Sequence, residues 1–216
     1  MKKLLFFALF TTFFANAQTD NKIVIGKIDS LNSKILGEKR KIRVSVPKDF
    51  SGATYAKKRY PVVYLLDGDA HFSSVVGMIQ QLSAVNGNSI CPEMIVVGIP
   101  NTDRTRDLTP THIVSDPPYM DSTFSKNSGG NEKFMAFIEK ELMPHIDSLY
   151  PTQPFKMLIR YSFGGLAVMN SLINHPKLFN AKGLTGYSGR FEMDGNKPTA
   201  LVMVQPNGIF TAKAKK

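Results

Sequence analysis

Cysteine is nearly absent from this chain. The single Cys91 cannot form an internal disulfide, which excludes a disulfide-stapled scaffold. Histidine is sparse, at four residues, and none follows His175. Acidic residues are outnumbered 17 to 27 by lysine and arginine, for a net charge of +10. That excess does not by itself indicate nucleic acid. Its clusters are Lys39-Arg40-Lys41, Lys57-Lys58-Arg59 and the Lys213 to Lys216 tail. None is interleaved with aromatics on a nucleic-acid module, so they read as solvated surface with no nucleic-acid partner. Internal repeats are lacking, as is any apolar run long enough for a membrane span, about 20 residues.

What is present starts at the N-terminus. Lys2-Lys3, the apolar run Leu4 to Phe14 and the small-x-small site Ala15-Asn16-Ala17 have the three-part layout of a secretory signal. The expected mature chain begins near Gln18 and works in the periplasm or outside the cell. The rest fits one domain of ordinary size.

Short apolar runs then alternate with helical patterns. Ile23 to Ile28 and Lys41 to Val46 alternate as half-buried strands do. Pro61 to Leu66, Met94 to Ile99 and Phe155 to Ile159 are continuous apolar runs, expected as strands buried on both faces. Helical spacing covers Phe72 to Val85, Phe134 to Ile146 and Phe163 to Asn174, and Thr102 to Gly130 reads as a long polar loop. Repeated strand–helix alternation predicts an α/β fold with a mostly parallel sheet, whose ligands bind at the carboxyl ends of the strands. The unusual residues fall there: Asp67-Gly68-Asp69-Ala70-His71 after one strand, Asn101 to Asp107 after the next, Ser162 after the third.

Ser162 lies between a buried strand and a helix, with Gly164 two places on, as in a nucleophile elbow that projects a serine hydroxyl above the sheet. Arg160 stands where a second small residue belongs and should crowd the turn. A plain serine N-cap fits the same position.

Four stretches carry a wider likeness: YPVVYLLDGDAHF at Tyr60 to Phe72, EMIVVGIPNTDRTRDLTP at Glu93 to Pro110, FMAFIEKELMPHID at Phe134 to Asp147, and SFGGL at Ser162 to Leu166. From Asp29 to Ala181 the chain resembles the esterase family of α/β-hydrolases that includes esterase D and the enterochelin esterases. The resemblance implies an α/β-hydrolase fold and serine-type carboxylic ester hydrolysis without cofactor or metal. The substrate would be a small-molecule ester of siderophore, acylated-sugar or thioester type. Ser162 would be the nucleophile, and the N–H of Phe163 with that of Gly68 or Asp69 would form the oxyanion hole, donors each worth about 3–4 kcal/mol of barrier. Glycine at 68 would let the backbone approach substrate. Arg104 or Arg106, with His71, are candidates for the substrate loop. The two arginines read equally well as an internal ion-pair cluster that rigidifies that loop.

The chain departs from the family in two places. Arg160-Tyr161 replace the Gly-His that precedes the family's serine. The family's later strands, acid and terminal histidine, ordered Ser, Asp or Glu, His, have no counterpart, since Glu192 and Asp194 are the only acids after His175. Leu184 to Lys215 instead shows three short strand patterns, at 190–193, 200–204 and 209–212, separated by Asp194-Gly195 and Asn207-Gly208 turns. It resembles the start of a β-rich module found after some secreted hydrolases. An internal deletion accounts for both features, leaving a signal at 1–17, the front half of the hydrolase sheet at 18–182 and a module fragment at 183–216. The expected function is an ester hydrolase impaired by loss of the acid and histidine. The alternatives are a catalytically dead binding or remnant protein of the same fold, and a carbohydrate-binding or adhesion module.

Overall fold

The structure is a computed structural model. It describes residues 21–47, 58–83, 85, 89–112, 126–161, 164–185, 188–194, 197–205 and 208–213, with the backbone alone for Tyr161 and from 183 on. The expected signal segment and the polar stretch 48–57 lie outside the described residues.

The strongest apolar runs become the centre of the sheet. In β3 (Tyr60–Leu66) every residue is buried, and so is every residue of β4 (Ile95–Ile99). Continuous Val, Ile and Leu suit a strand covered on both faces. β5 (Thr152–Tyr161) pairs parallel with β3, which pairs parallel with β4. β6 (Ala181–Thr185) adds a parallel strand beyond β5 and takes the main sheet past residue 182. On the other side β2 (Glu38–Ser45) runs antiparallel to β4, and β1 (Lys27–Ser33) antiparallel to β2. The order is β1-β2-β4-β3-β5-β6.

Alternation along the strands splits the core into two layers. Val63, Leu65 and Val96 meet Phe72, Val76 and Ile79 of α1 (Gly68–Ser83) on one face. Val62, Tyr64, Leu66, Ile95, Val97 and Ile99 meet the helices of the other face. Those are α3 (Asn131–Phe137), α4 (Met143–Leu149) and α5 (Gly165–Asn174). Each fully buried side chain of this size contributes about 1.5–3 kcal/mol.

Four elements differ from expectation. The first strand begins at Lys27, because pairing with β2 through the Lys34–Gly37 turn sets its register, and Ile23 and Val24 are left 95% and 72% exposed. Gly37 takes φ 69° in that turn, and the Glu141 carboxylate accepts from the N–H groups of Lys34 and Ile35. α1 starts at Gly68 rather than Phe72. Inside the polar loop a short helix, α2 (Arg104–Leu108), is capped by the Asp103 side chain, which accepts from the Arg106 N–H. Between α3 and α4 the helix widens to a π turn over Ile138–Leu142, where the Met143 N–H bonds the Ile138 carbonyl. Pro144 follows, which cannot donate and whose ring would strike the carbonyl four residues back.

The tail forms its own antiparallel sheet, β7-β8-β9 (Ser188–Asp194, Lys197–Gln205, Gly208–Lys213). Its strands fall on the three expected patterns.

Candidate active site

Three parallel strands deliver their carboxyl ends to one edge of the sheet. β3 ends at Leu66 and is followed by Asp67, whose φ of 51° is in the left-handed region. Its carbonyl accepts from the N–H groups of Ala70 and His71, so Asp67 starts α1. The N–H groups of Gly68 and Asp69 are the two helix-start donors that this carbonyl leaves over. β5 ends at Tyr161 and α5 begins at Gly165 with Gly164 as its cap. Ser162 and Phe163 join them and lie outside the described residues. Because β3 and β5 are parallel neighbours, with Leu65 opposite Ile159, the Gly68 and Gly164 helix starts leave the same edge.

Asp67 is the hub of that edge. Its buried carboxylate accepts from Arg104 Nε at 2.9 Å, Asn101 Nδ2 at 2.7 Å and Arg160 Nη2 at 2.5 Å. Burial alone would raise its pKa. Hydrogen bonds from Arg104 and Asn101, with the charges of Arg160 and Arg104, outweigh burial and hold it below the usual aspartate range. The loops after β3 and β4 and the end of β5 are thereby tied together.

Arg160 does lie close against the turn, as its length suggested, for its guanidinium fills the space over Gly164. Its side chain is 0% exposed and turned toward β3, where Asp67 neutralises it. Gly68 is also needed by the fold itself. A Cβ there would sit 2.5 Å from the Ile99 nitrogen and 2.6 Å from the Gly98 carbonyl carbon, so this glycine lets the start of α1 lie on the β4 backbone.

Arg104 and Arg106 are both ion-paired. Arg104 binds Asp67 with its side chain 39% exposed. Arg106 binds Glu38 and Asp107 at 2.8 Å each, and both carboxylates raise its pKa against the lowering effect of burial. Asp107 also binds Arg40 at 2.7 Å. Arg40 corrects the reading of Lys39-Arg40-Lys41 as solvated surface. It is buried, with its guanidinium carbon 5.4 Å from the Phe134 ring centroid and 5.6 Å from that of Phe137. Strand alternation exposes Lys39 and Lys41 and turns Arg40 inward. Asn131, buried on α3, donates to the Asp107 carbonyl and accepts from Asn170 on α5.

The histidines are dispersed. His71 is half-buried in the first turn of α1. The His112 ring lies 3.1 Å from the Ser128 carbonyl. His145 pairs with Asp29 of β1, where it holds that carboxyl below its usual range. His175 pairs with Glu132 and caps the far end of α5, about 15 Å from its start at 1.5 Å per residue. Sequence reading missed the hub role of Asp67 and the depth of Arg40. The signals were an acid placed directly after a fully apolar strand and the inward phase of β2.

Among the described residues no group of three or more His, Cys, Asp or Glu side chains is arranged to hold a metal ion. Among them, no helix is long and apolar enough to cross a membrane.

Comparison with known proteins agrees with this architecture. The family described as Putative esterase matches residues 33–190. The chain is 31% identical over 151 residues to the ferri-bacillibactin esterase BesA of Bacillus subtilis, covering 66% of this chain and 51% of that protein. It is 28% identical over 151 residues to the siderophore enterobactin esterase of Emericella nidulans, covering 64% of this chain and 50% of that one. An IroE-like serine hydrolase from Shewanella oneidensis superposes with a TM-score of 0.66 at 37% identity, over 73% of this chain and 49% of that structure. The chain spans about half the length of the curated relatives it matches. With 158 residues inside the family match (33–190), the order of its sheet and its helices on both faces, the chain belongs to the Putative esterase family of the α/β-hydrolase fold.

Proposed function

We propose that this chain is built as a serine-type carboxylic ester hydrolase for siderophore-class esters, with turnover that is strongly impaired. The carrying observation is the shared edge at which β3, β4 and β5 end and from which α1 and α5 start, with Ser162 falling in the sequence between β5 and α5. Ser162 supplies the nucleophilic oxygen. The N–H of Phe163 and that of Gly68 or Asp69 stabilise the tetrahedral oxyanion, with the exposed flank of Arg104 available to an anionic substrate. The siderophore class is taken from the relatives named above, which are esterases of bacillibactin and enterobactin.

The impaired turnover is read from the dispersal of the described histidines. A serine hydroxyl attacks poorly unless a neighbour takes its proton. Among the described residues His145 and His175 are engaged by Asp29 and Glu132, and the His112 ring lies against the Ser128 carbonyl. The oxyanion hole and binding alone leave rates orders of magnitude below a working triad. The same dispersal favours a second reading, a binding protein that retains the esterase fold.

The test compares the native chain with Ser162→Ala on an activated aryl ester. The expected rates differ by less than about 100-fold, equivalent to about 2.7 kcal/mol of transition-state stabilisation. A larger ratio overturns the impairment and calls for His71→Ala and His112→Ala to find the base. Export belongs to the same proposal: intact mass of the secreted protein is expected to begin at Gln18, and a chain still beginning at Met1 overturns it.

A further inference from the structure

The guanidinium of Arg160 does not merely fill space. A Cβ added to Gly164 would lie 2.5 Å from Arg160 Cζ and 2.6 Å from Nη1, with Nε also in contact. The guanidinium therefore packs against the cap residue of α5. Its other end reaches Asp67 Oδ2 across the β3–β5 boundary at 2.5 Å. One buried side chain touches the start of α5 and, through Asp67, the start of α1. A cation beside a helix N-terminus is unfavourable against the helix dipole. The Asp67 carboxylate, 7% exposed, offsets that penalty.

We infer that Arg160 is a positioning residue that sets the distance and tilt between the two helix starts, and that a side chain at 164 fits only by displacing the Arg160 guanidinium from Asp67. The two positions are coupled. With arginine at 160 a side chain at 164 must push the guanidinium aside, and with glycine at 160 the space over 164 opens while Asp67 loses a donor. Restoring the family's glycine at 160 alone therefore loosens the edge instead of repairing it. The inference stands on described residues. A failure of the esterase reading, measured with Ser162→Ala, leaves it standing.

A four-protein cycle tests the coupling: native, Gly164→Ala, Arg160→Gly and the double variant. Gly164→Ala is expected to lower Tm by about 5 °C or more in the native background, as overpacking does. In the Arg160→Gly background the same change is expected to shift Tm by less than about 2 °C. If Gly164→Ala does not fold alone but the double variant does, the coupling is upheld. Equal losses in both backgrounds, or no fold in either, overturn it. Positioning is separated from space-filling by Arg160→Lys and Arg160→Gln. The contact to Asp67 includes a charged hydrogen bond from Nη2, whose charge a lysine keeps and a neutral amide does not. In ¹H–¹⁵N spectra the Gly68 and Gly164 amides are expected to keep their shifts in the lysine variant and move in the glutamine variant, with Gly37 unmoved in both. Identical Gly68 and Gly164 shifts in the two variants overturn the positioning role.

Discussion

Two arginine networks share the carboxyl edge of this sheet and are built to different plans. One joins Arg40 and Arg106 to Glu38 and Asp107, two cations to two carboxylates, and fixes the α2 loop onto β2. The other gives Asp67 alone to both Arg104 and Arg160, with Asn101 as a neutral donor. The first is balanced and buried over phenylalanines, so it serves the scaffold. The second draws three strand ends onto one carboxylate, and one of its arginines stands two positions before Ser162 in the sequence, so it bears on the proposed site. An arginine's sequence neighbours do not tell these roles apart; the partners supplied by other strands do.

Breaking the scaffold network has the largest expected effect. Arg40→Ala leaves Asp107 buried and short of a partner, and denaturant unfolding is expected to show a loss of about 3–5 kcal/mol. A loss below about 1 kcal/mol would place Arg40 among surface charges after all. Asp67→Asn comes next, at about 2–3 kcal/mol, because the amide oxygen still accepts while Arg160 loses its counter-charge. Unlike Arg40→Ala, it is expected to displace the Gly68 amide.

Acid sharpens the comparison. Glu38, held down first by its hydrogen bond from Arg106, and Asp67 both have folded pKa values below the ordinary ones. A depressed acid stabilises the fold above its unfolded pKa, and that contribution is lost as pH falls through the folded value. Both networks are therefore expected to weaken below about pH 4. The stability gap between native protein and Asp67→Asn should narrow between neutral pH and pH 3, as read by denaturant midpoints. A constant gap would show that the Asp67 charge contributes nothing. The smallest effect is expected at the Lys58–Glu93 surface pair, where Lys58→Ala should cost no more than about 1 kcal/mol.

Much of the fold was legible in the chain. PVVYL and IVVGI could only be covered strands, and the helices after them followed from 3.6-residue spacing. Strand alternation also held the answer for Arg40, but the run of three basic residues masked it. The Asp103 cap and the π turn before Pro144 were written locally and were passed over as loop and uniform helix.

By itself the sequence determined the strand–helix order, the edge on which the unusual residues collect and the family, because periodicity and turn chemistry are local. Only the tertiary structure decided which charges meet. Asp67 and Arg160 are separated by 93 positions, and Arg40 and Asp107 by 67. Such pairs form only when strand pairing, parallel between β3 and β5 and antiparallel between β2 and β4, brings residues distant in sequence within hydrogen-bonding reach and burial removes the water that would otherwise keep the charges apart.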